Sequence, residues 1–419
     1  MTDVNKQRYD LYVDTPYTGL IKAAEAVLLE SAGQLSQMGF RYTDTYLDHP
    51  HAFALDPIQL PLQKHEINLM CAGGMPGILD DYLPDDWGRK VLTTLAFYQE
   101  KHQLNAHSAI DVLTHLSNSR IGAIQWVKVG AQPEYAQGCD IKHLTSAETA
   151  AQFVDDAQAI TENIDEMSLL YLANAGSGVG GARPKALLYE NDKVYLAKFN
   201  RLARDDYNNA KVELACLRMA QAAGLNVFLG HIRAGVNKRD VLLLNRFDIV
   251  LDEQQRSTRQ HLITINALLK NTQTQRDRGG VFRYDDIADV VRMHSIDIET
   301  NLKQLLRLML FNRCINNTDD HERNFSLINN GQGYCLSPAY DLVPSLVTDM
   351  YPVAGYQYSH RPPTPREAMT QGKVFGLPKT QVKQIAEQVI DAVEQWKVFA
   401  HTEGVSDQDA INVGKVMVF

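Results

Sequence analysis

The order of apolar and polar positions divides the chain into elements of different period. Near the start, Tyr9–Val13 and Gly39–Tyr46 are short β-like runs. Between them lies an Ala/Leu-rich stretch, 20–32, whose propensity favours a helix. Residues 108–126 read as a helix followed by the strand-like run Ile121–Trp126. Residues 129–146 contain Gly, Pro and Gln with weak patterning and read as a linker; a helix with polar flanks follows over about 147–174. Lys185–Glu190, an Asn191-Asp192 turn and Lys193–Phe199 read as a hairpin. A helix over Asn209–Ala223 ends at the capping Gly224, and Val241–Val250 reads as a buried strand. From about 250 the periodicity turns helical. Leu302, Leu305, Leu306, Leu308, Met309, Leu310 and Phe311 form a very apolar run. Over 378–399, Val382, Ile385, Ala386, Val389, Val393 and Trp396 share one helical face, the pattern of a packed helical core.

Composition narrows the function classes. The 419 residues suffice for two or three domains. A hydrophobic share of 45% and a charged share of 22% describe an ordinary globular chain. The net charge of −9 argues against direct nucleic-acid binding by bulk electrostatics, though not against a local basic patch. The five cysteines, Cys71, Cys139, Cys216, Cys314 and Cys335, are scattered and show no CxxC spacing. They suggest neither a zinc site nor a disulfide framework and fit a reducing cytoplasm. The polar N-terminus has no signal-peptide core and no apolar run is long enough for a membrane span, so a cytoplasmic protein is expected.

The chemistry concentrates at 315–345. Asp319 and Asn324 have four residues between them, the spacing of the Asp and Asn in a protein-kinase catalytic loop. Asp341 lies 17 residues after Asn324, where a second metal-binding carboxylate belongs. Phosphoryl transfer needs these types. Mg²⁺ takes hard oxygen ligands, and one carboxylate must orient or deprotonate the attacking hydroxyl. The spacing alone is weak, since about one chance match is expected in a chain of this length, and a polar turn-rich loop is the plain alternative. Context strengthens it. The apolar run precedes the loop, and a hairpin-like pair, Phe325–Ile328 and Tyr334–Leu336, would deliver Asn324 at one end and Asp341 at the other.

A second site precedes this one. Gly176, Gly178 and Gly181 match G-x-G-x-x-G, a pattern shared by dinucleotide folds and kinases. A Rossmann site needs a helix next, but a hairpin follows. A Walker A loop needs Lys after the last glycine, where Ala182 stands. A glycine loop followed by a hairpin is the kinase arrangement, in which backbone N–H groups bind phosphate. Lys198 shares a strand face with Val194 and Leu196 and is expected to point to an apolar side. It is a phosphate-contacting lysine or a snorkelling one. Glu213 is its ion partner by kinase analogy, or a solvated helix charge.

Thr318-Asp319-Asp320-His321-Glu322-Arg323-Asn324-Phe325-Ser326, with Tyr340-Asp341-Leu342-Val343-Pro344-Ser345, resembles the signature of the HipA family, the kinase toxins of bacterial toxin–antitoxin pairs. Leu83-Pro-Asp-Asp-Trp-Gly-Arg resembles a Leu-Pro-Glu-Gly segment of that family's N-terminal region; on its own it reads as a helix start after a Pro turn. The motifs at 83–89, 176–185, 196–199, 245–248 and 318–345 occur in family order and cover most of the chain. The resemblance implies an α+β, two-lobed protein-kinase-like fold with a mixed, β-rich N-lobe and an all-helical C-lobe. It implies a family-type N-terminal subdomain over 1–146, a nucleotide-binding part over 147–249 and a catalytic part over 250–419. It implies Asp319 as catalytic base, and Asn324 and Asp341 as Mg²⁺ ligands. ATP contacts would come from Gly178, Gly180, Gly181, Ala182, Arg183, Lys185, Lys198, Asn245, Phe247, His321, Asn324 and Tyr340, with Arg246 also facing the adenine.

The chain departs from the family twice. Where some members carry an inactivating autophosphorylated serine, this chain has Gly178, and the adjacent Ser177 is the candidate acceptor. Asn245 stands where a Glu usually precedes Arg-Phe-Asp; an amide still hydrogen-bonds adenine.

The expectation is an ATP- and Mg²⁺-dependent serine/threonine kinase toxin. Its implied substrate is a host protein connected with translation. Its implied partner is a DNA-binding antitoxin, with DNA contacted only through that partner. A Tyr-, Pro- and Arg-rich segment, 351–366, is expected to be a loop near the substrate. The alternatives are a small-molecule kinase and a catalytically weak kinase-fold binding module.

Overall fold

The computed structural model describes residues 4–71, 74–100, 104–116, 120–133, 146–159, 185–190, 193–200, 205–251, 257–270 and 281–419. The chain has a β-rich N-terminal part and a helical C-terminal part. It divides into two compact units. One comprises Met1–Lys198, Arg246–Ile263 and Asn329–Gln332, the other Phe199–Asn245, Thr264–Ile328 and Gly333–Phe419. Among the described residues no helix is long and apolar enough to cross a membrane.

The first unit is built on an antiparallel sheet of β1 (Val4–Thr15), β2 (Gly19–Ser31), β3 (Gln34–Tyr42), β4 (Ile67–Met70) and β5 (Ile124–Lys128), in the order β4-β3-β2-β1-β5. The Ala/Leu-rich stretch expected to be helical is β2. Ala24, Ala26, Leu28 and Glu30 all turn inward along it, a period of two that overrides helix propensity. Register places Ala26 between Tyr9 of β1 and Phe40 of β3, so small residues fit between large ones. Phe40, Tyr42 and Tyr46, the last on α1 (Asp44–Leu47), continue the core as packed rings. Leu83-Pro84 separates α2 (Gly77–Tyr82) from α3 (Asp86–Glu100), matching the Pro-turn reading. The short α4 (Ala109–Thr114) starts at buried Glu30, which accepts the Ser108 hydroxyl at 2.7 Å and the Ile110 N–H at 3.0 Å. The helix expected over 147–174 is α5 (Ala147–Ala159); its remainder, and most of the linker, lie outside the described residues. The hairpin is β6 (Lys185–Glu190) and β7 (Lys193–Phe199).

The second unit begins with α6 (Asn209–Ala222), closed by Gly224 at φ +83°. The hairpin of β8 (Gly230–Val236) and β9 (Arg239–Asn245) follows, turning through Asn237 and Lys238, both at positive φ. The stretch expected to turn helical at 250 first makes three short strands: β10 (Ile249–Leu251) and β11 (Ser257–Arg259), both in the first unit, and β12 (Leu262–Thr264), at whose end the second unit resumes. Then come α7 (Ile265–Leu269), α8 (Tyr284–His294) and α9 (Ile298–Cys314). The apolar run lies on α9, where every residue named above is buried. It is followed by β13 (Ser326–Asn329), β14 (Tyr334–Leu336), α10 (Pro365–Gln371), α11 (Lys379–Val393), α12 (Trp396–Thr402) and α13 (Asp407–Val416). The amphipathic face read from sequence is buried on α11 and α12, and α11 packs on α9.

Candidate functional site

The loop between α9 and β13 is set by where the helix stops. Ile315 closes α9, and Asn316 takes a left-handed φ of +55°, which asparagine tolerates better than most residues. The Asn316 amide donates to the Ser345 carbonyl at 2.7 Å, and its backbone carbonyl accepts the Ser345 N–H at 3.0 Å. The start of the loop is thereby fastened to the segment after Asp341.

Asn317, absent from the sequence-derived list, organises the next step. It is buried, and its Nδ2 donates to Asn312 Oδ1 of α9 at 3.1 Å and to the Asp341 backbone carbonyl at 3.4 Å. Its Oδ1 accepts the Asp319 N–H at 3.1 Å. The Asp319 carbonyl in turn accepts the Asn324 side-chain amide at 2.6 Å. Two asparagine side chains thus connect the backbones of Asp319 and Asp341 and the side chain of Asn324. Because Asn324 Nδ2 donates to that carbonyl, its Oδ1 is directed elsewhere as an acceptor.

The Asp319 carboxylate is 83% exposed, and His321 Nε2 lies 3.9 Å from it. Asp320, its neighbour, is buried, and burial pushes its carboxyl up to about 7 against the pull of the Ala354 N–H and the Tyr284 hydroxyl. Residues Glu322–Asn324 form a 3₁₀ turn that leads into β13. Tyr340 braces that turn. Its hydroxyl donates to the Arg323 carbonyl at 2.9 Å and lies 2.7 Å from Ser326 Oγ. Asp341 sits at φ +59° and is half-buried. Among the described residues no group of three or more His, Cys, Asp and Glu could hold a metal. The expected pair is one amide oxygen and one carboxylate, a hard donor set of the kind Mg²⁺ accepts while keeping water and phosphate oxygens.

The other expected residues fall partly elsewhere. Gly176, Ser177, Gly178, Gly180, Gly181, Ala182 and Arg183 lie outside the described residues. In the first unit, Lys185 of β6 stands directly opposite Lys198 of β7, so both ammonium groups leave the same face of the hairpin. On β7 that face carries the half-buried Val194 and Leu196, and across from Leu196 it carries the fully buried Leu187, so apolar side chains flank Lys198. The other face carries Tyr195, Ala197 and Phe199, all buried. In the second unit Glu213 is 4% exposed on α6 and is no solvated helix charge. Asn245 is exposed, with its amide donating to the Leu229 carbonyl at 2.6 Å.

Arg246 of the first unit is buried. Its guanidinium grips Asp248 at 2.9 and 2.6 Å and reaches the Arg120 carbonyl at 3.1 Å. Arg259 donates to the same carbonyl at 2.7 Å, and Asp248 accepts the Gly122 N–H at 2.9 Å. This side chain has a structural engagement rather than a surface for adenine.

Similarity to known proteins agrees with this organisation. The model of the HipA-like C-terminal domain matches residues 177–397, and that of the HipA N-terminal domain matches 23–127. The chain is 30% identical over 194 residues to the putative kinase Y4mE of Sinorhizobium fredii, across 46% of this chain. It spans only 40% of that relative's length. Its fold is similar to that of HipA from the Shewanella oneidensis MR-1 toxin–antitoxin system, solved as a complex of HipA, HipB and operator DNA. The TM-score is 0.65 at 18% identity, covering 97% of this chain and 94% of that one.

Proposed function

The chain belongs to the family of the HipA-like C-terminal domain, and on that premise we propose that it is an ATP- and Mg²⁺-dependent serine/threonine protein kinase, the toxin of a toxin–antitoxin pair. The observation that carries this reading is the asparagine-linked loop. Asn317 and Asn324 tie together the residues that phosphoryl transfer requires. The exposed Asp319 carboxylate accepts the proton of an attacking Ser or Thr hydroxyl. Asn324 and Asp341 would hold Mg²⁺, whose charge would offset that of the transferred phosphoryl group. Lys185 and Lys198, at paired positions of one hairpin, contact ATP phosphates. The glycine loop, Asn245, Phe247, His321 and Tyr340 complete the nucleotide contacts, and Ser177 is the candidate site of self-phosphorylation.

The substrate is a host protein connected with translation. The partner is a DNA-binding antitoxin, as HipB accompanies HipA and operator DNA in the Shewanella complex. Labelling with γ-phosphate from ATP, with and without cell lysate, tests the class. A lysate protein labelled by wild type and not by Asp319→Asn supports a protein kinase. Labelled metabolites without labelled protein would indicate a small-molecule kinase. Absence of any transfer would indicate a binding module.

A further inference from the structure

Asp319 and Asp320 are adjacent and have opposite surroundings. Asp319 projects to solvent, whereas Asp320 is 1% exposed. Asp320 Oδ1 accepts the Ala354 N–H at 3.1 Å, and Oδ2 accepts the Tyr284 hydroxyl at 2.9 Å. Tyr284, on α8, is fully buried, and its hydroxyl oxygen accepts Asn312 Nδ2 of α9 at 3.0 Å. Asn312 Oδ1 accepts Asn317 Nδ2 at 3.1 Å, and Asn317 Oδ1 accepts the Asp319 N–H at 3.1 Å. The bonds therefore close a ring: Asp320, Tyr284, Asn312, Asn317, Asp319, and back to Asp320 through the chain.

A carboxylate buried among neutral donors is a costly way to fasten a loop, since an apolar side chain of similar size would pack without the desolvation penalty. What the carboxylate adds is direction. It accepts from two sides at once and fixes the peptide that carries the Asp319 side chain. The ring joins two helices to the loop, and through Ala354 it reaches the segment beyond Asp341. Asn316 grips that same segment through Ser345 and Val347. The loop is thus held on both sides of Asp319.

We propose that Asp320 is a positioning residue for phosphoryl transfer, acting through the Tyr284–Asn312–Asn317 ring to aim the Asp319 carboxylate at the acceptor hydroxyl. The role rests on the reading of Asp319 as the catalytic base. Positioning is steep, since a displacement of about 1 Å can cost roughly 10²-fold in rate.

The test measures kcat, the KM for ATP and the unfolding temperature of wild type, Asp320→Ala, Asp320→Asn, Tyr284→Phe and Asp319→Asn. Asp320→Ala is expected to lower kcat about 10²-fold while the KM for ATP stays within about 3-fold. Asp320→Asn keeps an acceptor for Ala354 and turns its amide to the Tyr284 oxygen, and is expected to recover at least about 10-fold of that loss. A wild-type kcat in folded Asp320→Ala, with only its unfolding temperature lowered, would overturn the proposal. Equal inactivity of folded Asp320→Asn and Asp320→Ala would overturn it too. Should Asp320→Ala fail to fold, Tyr284→Phe decides: a kcat lowered about 5-fold or more supports the ring, and an unchanged one overturns it. Full activity of Asp319→Asn would instead overturn the catalytic reading, and this role with it.

Discussion

Replacing Arg246 by Met should destabilise the first unit by about 3 kcal/mol, through a side chain that the family resemblance had turned toward adenine. The magnitude follows from the surroundings. Arg246 and Asp248 are 8% and 3% exposed, and their bidentate contact spans 2.9 and 2.6 Å. Burial pushes Asp248 up, but the charge and hydrogen bonds of Arg246, the Gly122 N–H and the charge of Arg259 more than offset it. The carboxyl is therefore held below its ordinary range. Removing one partner of such a pair leaves a buried charge uncompensated, which costs about 3–5 kcal/mol. The remaining Arg259 places the effect at the lower end. Met preserves the aliphatic volume, so the loss reports on charge rather than on a cavity. Urea unfolding of wild type, Arg246→Met and the double variant Arg246→Met/Asp248→Leu measures it. The single variant should shift the midpoint down, and the double variant should recover most of the loss. Because the native carboxyl has a depressed pKa, its contribution is present above about pH 4 and disappears as pH falls through the native value. A single-variant loss under about 1 kcal/mol, or a raised Kd for ATP at unchanged stability, would refute the structural assignment of Arg246.

Other outcomes follow from the same geometry. Asp320 has a raised pKa, so its burial penalty is full above about pH 7 and is relieved as pH falls toward about 4; Asp320→Asn should flatten that part of the stability profile measured by urea midpoints. Gly230→Ala would place a Cβ 1.9 Å from the Leu243 carbonyl oxygen, so the β8–β9 pairing must open, at a cost of about 1–3 kcal/mol in thermal unfolding. Tyr340→Phe removes the bonds to Ser326 and Arg323 and should cost about 1 kcal/mol, with faster amide exchange in the 3₁₀ turn.

Long apolar patterns were legible in the sequence, and polar engagement was not. The α9 run and the α11–α12 face each extend over enough residues to declare themselves, and the Asn/Gly-rich turn at 329–333 marked the short β13–β14 hairpin. Strand β2 misleads because its inward positions include Ala24 and Ala26, small residues that score as helix formers while serving as close-packing points between neighbouring strands. For Lys198 the period of two was legible and the depth of burial was not: Val194 and Leu196 on its face are half-buried, whereas Leu187 across from Leu196 is fully buried. Within the loop, residue type alone does not separate Asp319 from Asp320. Their difference arises from Tyr284 and Ala354, which lie 36 and 34 positions away from Asp320 along the chain. Asn312 and Asn317 were invisible as functional residues for the same reason: an amide acquires its meaning from partners on other elements.

On the proposed reading, Asp319 serves the chemical step from a loop held through its backbone by Asn317 and Asn324. The most direct measurement is γ-phosphate transfer at saturating Mg²⁺ and ATP for wild type and Asp319→Asn, with the Kd for ATP determined on the same samples. The account predicts a rate lower by roughly 10²–10⁴-fold with nucleotide affinity essentially unchanged, because the substitution removes a general base and leaves Lys185, Lys198, Asn324 and Asp341 in place. Transfer at the wild-type rate in Asp319→Asn would contradict it.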